Sequence, residues 1–396
     1  GEHRPDDASA PDDDRTALYY IGRGMTRATG GQYTYKRTIT LGENSKVSGG
    51  PHTDFPVAIA ESDDYLKSAS NGGKVQSEYG YDIIFTSDSD GETVLSHEIE
   101  EYSASTGKFT AWVKIPSLAN DTDIYMFYGN SDIVSTQENI SDVWSNDYQF
   151  VQHMTDSGIA GTRSSVHSSN GGFKYAEDSP SEVIEGKIGR RQSFDGSYDY
   201  LTIENNVDKE QRTSDFTVEA WMKPSSSGTT YSALYYFGNG DVADADGFVI
   251  RHHAQSTDKL QFHMGDNNVT NLGGLYFRDT AISDDVWTYV VMVVDRDVGY
   301  QGYVNNTAGN SYSIDSSAYS IGEVYDVNLG KDWSSSDYFF QGELDEMRIS
   351  TTTRSTDWLT TGYNNMNATS TFYSMGSESV ASGYASPGSI YSSIYD

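Results

Sequence analysis

Four acidic residues in the second half of the chain are candidate ligands for a metal ion. Asp195 and Asp199 flank an Asp-Gly turn, while Asp345 and Glu346 end a Gly-x-x-Asp-Glu segment much later in the sequence. Hard cations such as Ca²⁺ require several oxygen ligands, and a β-sandwich can bring an early turn beside a late strand. The pattern predicts a structural Ca²⁺ site. The alternative is that the two aspartates only shape a turn and that Glu346 pairs with Arg348.

The same late segment raises the question of glycoside hydrolysis, which needs two carboxylates on either side of one sugar bond. In a strand, residues i, i+2 and i+4 project from one face. Counted from Glu343, the i+4 position is Met347, and Glu346 is expected on the opposite face. Since the chain also has no nucleophile elbow, P-loop or dinucleotide-binding motif, we predict that it is not an enzyme.

Three aromatic residues, Trp221, Trp333 and Tyr338, are candidates for binding sugars. Aromatic rings stack on the apolar faces of sugars, while carboxylates and amides bind the hydroxyl groups. The alternative for each ring is packing inside the sandwich. The pair His252-His253 is a poor metal site, because neighbouring strand residues face opposite ways, and we expect solvated or turn histidines there.

Composition excludes several classes of function. The 396 residues include 26 Lys and Arg against 58 Asp and Glu, giving a formal net charge of −32. This charge repels nucleic acid and anionic membrane surfaces. There is no cysteine, so stability must come from packing, hydrogen bonds and bound cations instead of disulfides. No apolar run approaches the roughly 20 residues of a membrane-spanning helix, so neither nucleic-acid binding nor membrane insertion is predicted.

Short alternating segments separated by turns predict antiparallel β-structure along most of the chain. In residues 216–223, one face carries apolar side chains and the other is mixed. The dipeptides at 71–72, 90–91 and 106–107 end in glycine and predict tight turns. The one predicted helix spans 355–363. The predicted strands include 81–86, 97–102, 109–115, 123–128, 287–294, 300–304, 325–329 and 342–349.

Segments of the sequence, taken in order, resemble two known families. The first half is similar to a prokaryotic domain of unknown function that commonly precedes a laminin-G-like jelly roll, through segments 35–37, 52–57, 82–86, 97–100, 112–116 and 128–130. The second half resembles that jelly roll, which is concanavalin-A-like, through 186–189, 193–196, 216–221, 342–349, 354–358 and 372–376. The resemblance implies an all-β fold of two antiparallel β-sandwich domains in an exported protein of adhesion, surface structure or polysaccharide handling. It also implies calcium near one rim.

The predicted organisation is an acidic leader at 1–32, a β-sandwich at 33–148, a jelly roll at 149–380 and a Ser/Tyr-rich tail at 381–396. The acidic leader has too little apolar content to fold alone, so we expect it to pack on its own body or on a neighbouring subunit. Two functions are predicted. The first is a non-catalytic subunit of an extracellular assembly, a surface filament or virion appendage, joined to other copies of itself by its terminal segments. The alternative is a calcium-supported, glycan-binding module for adhesion at the cell surface.

Overall fold

The computed structural model describes residues 33–155, 173–175, 180–203, 214–225, 232–238, 247–253, 258–265, 274–277, 281–313, 327–332 and 338–381. These residues form antiparallel β-sheets with few helices, as predicted. The predicted leader lies outside the described residues, as does the tail from residue 382 onward. None of the described helices is both long and apolar enough to cross a membrane.

The first sandwich consists of two sheets. One has three strands in the order β2-β6-β5, and the other contains the run β1-β7-β3-β4. Short 3-10 turns lie at Glu43–Ser45, Asp64–Leu66 and Ala69–Asn71. The strands are β1 (Tyr35–Leu41), β2 (His52–Ser62), β3 (Ile84–Thr86), β4 (Val94–Leu95), β5 (His97–Tyr102), β6 (Lys108–Leu118) and β7 (Thr122–Tyr128).

The predicted strand at 81–86 is shorter in the structure because Asp82 has another role. Its buried carboxylate accepts hydrogen bonds from the backbone N–H groups of Gln76 and Ser77, each at 2.8 Å. It also accepts from Gly129 at 3.0 Å and from Asn130 at 3.1 Å. These four donors come from two separate loops. Asp82 therefore joins the loops, and β3 begins only at Ile84.

The predicted turns at Gly72, Gly91 and Gly107 all have glycine in the left-handed region. At Gly107, where φ is +73°, a Cβ atom would lie 2.0 Å from the carbonyl oxygen of Asp63. Only glycine fits this close approach of two backbones.

The second sandwich follows a short helix, α1 (Ile140–Val143). Its eight-stranded sheet contains the run β10-β11-β22-β13-β18-β19-β20, with β8 paired to β22, and its seven-stranded sheet is β17-β16-β15-β14-β21-β12-β9. The strands are β8 (Tyr148–Gln152), β9 (Phe173–Tyr175), β10 (Ser181–Val183), β11 (Arg191–Asp195), β12 (Leu201–Ile203), β13 (Phe216–Pro224), β14 (Ser232–Gly238), β15 (Gly247–His252), β16 (Leu260–Gly265), β17 (Gly274–Tyr276), β18 (Thr288–Asp295), β19 (Gly299–Val304), β20 (Thr307–Ser313), β21 (Val327–Leu329) and β22 (Gln341–Ser350).

The alternation predicted for residues 216–223 separates two cores. Phe216, Val218, Ala220 and Met222 point between the two sheets of the jelly roll and join its inner core. Trp221, on the other face of β13, joins a second core together with Ile39 and Trp112 of the first sandwich. The eight-stranded sheet therefore packs on both faces, and its outer face forms one continuous core with the first domain.

The end of the chain returns to the first sandwich. Helix α2 (Thr356–Asn367) includes most of the predicted helix. Its N-cap is Ser355, whose hydroxyl accepts the N–H of Trp358. The buried Asn365 side chain exchanges two hydrogen bonds with the backbone of Ala58 on β2. After α3 (Thr369–Phe372), strands β23 (Tyr373–Met375) and β24 (Ser379–Val380) both pair with β1. The predicted jelly-roll segment 149–380 thus includes elements that complete the first domain.

Candidate functional site

The predicted metal ligands Asp195 and Asp199 form a turn, which is the alternative weighed for them. One carboxylate oxygen of Asp195 accepts the N–H groups of Ser197, Tyr198 and Asp199 at 2.7–3.3 Å. Asp199 in turn accepts the N–H of Asp195 at 2.8 Å. Burial alone would raise the pKa of Asp195, but these backbone donors hold it below its ordinary value.

Asp345 is far from that turn, which corrects the predicted four-carboxylate cluster. Asp195 pairs with Gln341 across the β11–β22 ladder, four residues from Asp345, a separation of about 13 Å along the strand. Asp345 is fully buried, and its carboxylate accepts the N–H groups of Lys187, Ile188 and Glu346 at 2.7–3.0 Å. Burial and the nearby Glu346 and Glu100 raise its pKa well above the ordinary range.

Glu346 is at a β-bulge, and this overturns the expected alternation of side chains along β22. The β13–β22 pairing shifts register between Glu219 and Trp221, leaving one extra residue on β22, and Glu346 has φ of +50°. The bulge aims Glu346 toward the first domain, the side that Asp345 also faces. There it receives a 2.6 Å bond from Arg348, the predicted partner, and a 2.8 Å contact from His153.

These residues belong to a buried junction, a charged cluster between the two domains consisting of Glu98, Glu100, His153, Asp345, Glu346 and Arg348. The indole N–H groups of Trp144 and Trp112 donate to Glu98 at 2.7 Å and to Glu100 at 2.9 Å. The Arg348 guanidinium lies 4.3 Å from the Trp112 ring centroid. Aromatic walls thus exclude water from the buried junction, and burial raises the pKa of Glu100 to about 8.

Of the three predicted sugar-binding aromatics, the structure describes Trp221 and Tyr338. Trp221 is fully buried, stacked on Tyr363 with ring centroids 5.8 Å apart and covered by the Lys187 ammonium at 4.3 Å, so the prediction for it is corrected. Trp333 lies outside the described residues. Tyr338 is partly exposed and lies beside Arg251, whose guanidinium is 6.0 Å from its ring centroid.

The outward surface of the seven-stranded sheet brings together residues that sequence reasoning did not select. Because paired residues share a face, the ladder aligns them in rows across the sheet. We call the two central rows the polar face. One row runs Thr202, Asn328, Tyr236, Val249, His263 and Gly274, and the next runs Ala233, Arg251, Gln261 and Tyr276.

Side chains of the polar face are held by polar contacts. Arg251 binds the buried carboxylate of Asp332 through two nitrogens at 2.6 and 2.7 Å. Gln261 contacts the ring of His253 at 2.9 Å. Thr202, Arg251, Gln261, Tyr276 and Asn328 are each partly exposed. The partly exposed residues therefore present amide, hydroxyl, guanidinium and aromatic groups in fixed positions, next to the buried residues Ala233, Tyr236, Val249 and His263.

The histidine pair 252–253 was predicted to be solvated, and the structure corrects this. Both side chains are buried, and burial lowers the pKa of His252 to about 4. The signal for the polar face was present in the sequence as alternation in residues 247–253 and 260–265. Which of the alternating sets faced outward, and which strands were neighbours, depended on pairings between segments far apart in the chain.

Comparison with known proteins agrees with the architecture. Residues 195–360 match the family model described as the Concanavalin A-like lectin/glucanases superfamily, Laminin_G_3. Residues 79–155 match the Domain of unknown function DUF2341. No curated protein matches the chain.

Two solved structures resemble the chain at low identity. Domain 4 of AbnA, an extracellular GH43 arabinanase from Geobacillus stearothermophilus solved with arabinotriose, is 16% identical, with a TM-score of 0.42, over 55% of this chain and 98% of that one. The botulinum neurotoxin serotype D binding domain is 11% identical, with a TM-score of 0.44, over 57% of this chain. The match spans about half of the toxin domain, at 53%.

The predicted pairing of families is thus confirmed by two adjacent matches in the expected order. Residues 79–155 match the DUF2341 family model, and residues 195–360 match the Laminin_G_3 family model after it.

Proposed function

We propose that the chain is an extracellular, non-catalytic carbohydrate-binding protein that binds a glycan on the polar face. The observation that carries this proposal is the alignment of Arg251, Gln261 and Tyr276 in one row on the outer face of the seven-stranded sheet. The outer face of the other, eight-stranded sheet is covered by the first domain. The superfamily of the jelly roll is named for lectins and glucanases, which supports carbohydrate as the ligand class.

The chemistry of the polar face suits a sugar. An aromatic ring such as Tyr276 contributes an apolar surface for the C–H face of a pyranose or furanose, while the amides of Gln261 and Asn328 donate to and accept from hydroxyl groups. Arg251 is held by Asp332, so its guanidinium has a fixed direction. Preorganised polar groups lose little entropy on binding.

The assembly hypothesis stays a prediction, because the leader and tail that motivated it lie outside the described residues. The glycan hypothesis was the alternative at the sequence level, and the superfamily match now favours it. Calcium at the Asp195 turn is not part of the proposal, since that carboxylate is engaged by its own backbone.

A glycan array that includes arabino-oligosaccharides and sialylated glycans tests the proposal. We expect binding to a limited set of glycans, and an affinity for the best one that falls at least tenfold in Tyr276→Ala. Tyr79→Ala is the matched control, because Tyr79 is a 70% exposed tyrosine of the first domain, stacked on Tyr81. An array without binding, or equal losses in both variants, would refute the assignment of the polar face.

A further inference from the structure

The buried junction collects more acidic groups than it neutralises. Glu98, Glu100 and Glu346 lie around the imidazole of His153, Arg348 pairs with Glu346, and Asp345 lies near Glu100 and Glu346. Carboxylates without water must be protonated, paired with a cation or bound to a metal. The arrangement of ligand atoms within the buried junction distinguishes among these possibilities.

Three side chains of the buried junction offer ligand atoms around one point. Atoms of Glu100, His153 and Glu346 lie within 4.8 Å of one another. His153 Nδ1 is 2.8 Å from Glu346 Oε1 and 3.7 Å from Glu100 Oε2. Two ligands bonded at about 2.1 Å to one ion are separated by roughly 3.0–3.5 Å, so these distances require only small adjustments.

Both glutamates of this group sit at β-bulges on strands of different domains. Glu346 is at the bulge in β22, and Glu100 is the extra residue where the β5–β6 register shifts between Ile99 and Glu101. A bulge re-aims one side chain at a cost to strand pairing. Two bulges on strands of different domains thus direct carboxylates toward the same imidazole.

The second nitrogen of the imidazole has the partner expected of a metal ligand. His153 Nε2 lies 3.3 Å from Glu98 Oε2, and that oxygen is fixed by the Trp144 indole. A carboxylate on the far nitrogen is the usual companion of a metal-bound histidine, because it sets the ring's orientation and raises its basicity.

One oxygen of the group has no hydrogen-bond partner among the described residues. Glu100 has a side chain of 0% exposure, and its Oε1 atom is buried without a partner. A buried carboxylate oxygen without a partner costs free energy, and the other oxygen, Oε2, is the one that lies 3.7 Å from His153 Nδ1. The backbone of Gly189 passes so close to Oε1 that a Cβ there would lie 1.8 Å away.

We propose that Glu100, His153 and Glu346 bind one Zn²⁺ ion that fastens the two domains together. An imidazole with two carboxylates suits Zn²⁺, whereas Ca²⁺ takes six to eight oxygen ligands. These three side chains fill three of the four tetrahedral positions. The proposal moves the predicted cation from the rim turn to the buried junction, and it is independent of the glycan proposal.

The first experiment is metal analysis of the full chain, produced with Zn²⁺ in the medium and purified without chelators. We expect about one Zn²⁺ per chain, and X-ray absorption at the zinc edge showing one imidazole with oxygen ligands at about 2.0–2.1 Å. Zinc-free protein, or zinc bound by several imidazoles, would overturn the proposal.

The second experiment refolds the chain with EDTA, Zn²⁺ or Ca²⁺ and measures the thermal midpoint and zinc affinity. We expect Zn²⁺ alone to raise the midpoint, Glu100→Gln to abolish stoichiometric zinc, and Glu98→Gln to weaken zinc binding about 10–100-fold. The matched control is Glu101→Gln, a neighbour that pairs with Lys108 at 2.8 Å outside the group and should keep full zinc content. Equal midpoints in EDTA and Zn²⁺, or equal zinc in all three variants, would contradict the site. If Glu100→Gln does not fold, the absorption spectrum of the unaltered chain still decides.

Discussion

The two outer faces of the jelly roll differ in how fully they are covered. On the eight-stranded sheet, Trp221, Glu219 and Arg348 face outward and are nevertheless buried, because the first domain packs on them. On the seven-stranded sheet, Arg251 and Gln261 also face outward and keep part of their surface exposed, although Tyr236 and Val249 on the same face are buried.

This comparison distinguishes polar groups that stabilise the fold from polar groups that can bind a ligand. On the covered face, a polar group can find a partner only inside the protein, as one oxygen of Glu219 does in the Tyr289 hydroxyl. On the polar face, a group can keep hydrogen-bonding capacity for a ligand. The burial of each face therefore predicts whether a substitution changes stability or binding.

The largest difference is expected from removing an aromatic ring on each face. Trp221→Ala should lower the free energy of unfolding by about 4 kcal/mol, because it empties a fully packed site. Tyr276→Ala, on the partly exposed face, should cost about 1 kcal/mol. Urea unfolding measures both, and similar losses would mean that the faces do not differ in burial.

Acid is expected to have an effect of similar size. Burial lowers the pKa of both His97 in the first domain and His252 in the jelly roll to about 4, against 6.5 when unfolded. The unfolded chain therefore takes up protons first, and stability should fall as pH drops from about 6.5 to about 4, by up to roughly 3 kcal/mol per histidine.

The acid prediction is checked by unfolding at several pH values in the unaltered chain and in His97→Leu. That variant should have a shallower pH dependence. Since the two domains share a core, we expect one cooperative transition. Separate transitions for the two domains would argue against the shared core.

A single hydroxyl tests the covered face more finely. Tyr289→Phe removes the donor to Glu219 while keeping the ring, and leaves a buried carboxylate with one bond fewer. We expect a loss of about 2 kcal/mol. Tyr312→Phe is the control, because Tyr312 is 41% exposed and its change should stay within about 0.5 kcal/mol. Equal effects would show that the Tyr289 bond contributes nothing specific.

The smallest stability effect is expected on the polar face, where binding should respond instead. Gln261→Ala should change the free energy of unfolding by only about 0.5 kcal/mol. It should lower the affinity for the best-bound glycan about tenfold. Gln76→Ala, an exposed glutamine of the first domain, should alter neither quantity. Calorimetric titration measures the affinity, and an unchanged value in Gln261→Ala would separate this residue from the binding site.

Local patterns in the sequence determined the architecture. Period-two alternation in residues 216–223 predicted a strand with two different faces, and the structure divides that strand between two cores. The glycines at 72, 91 and 107 predicted turns because only glycine adopts their left-handed backbone at no steric cost. The order of many such segments was enough to identify both families.

The tertiary structure alone decided where chemistry is available. Strict alternation places Glu346 on the side opposite Asp345, but a bulge in β22 turns it to the same side. Trp221 has the residue type of a sugar platform, yet a separate domain covers it. Strands at 373–375 and 379–380 pair with β1, more than 330 residues earlier. Burial, bulges and long-range pairing depend on contacts between distant segments, so local sequence patterns do not encode them.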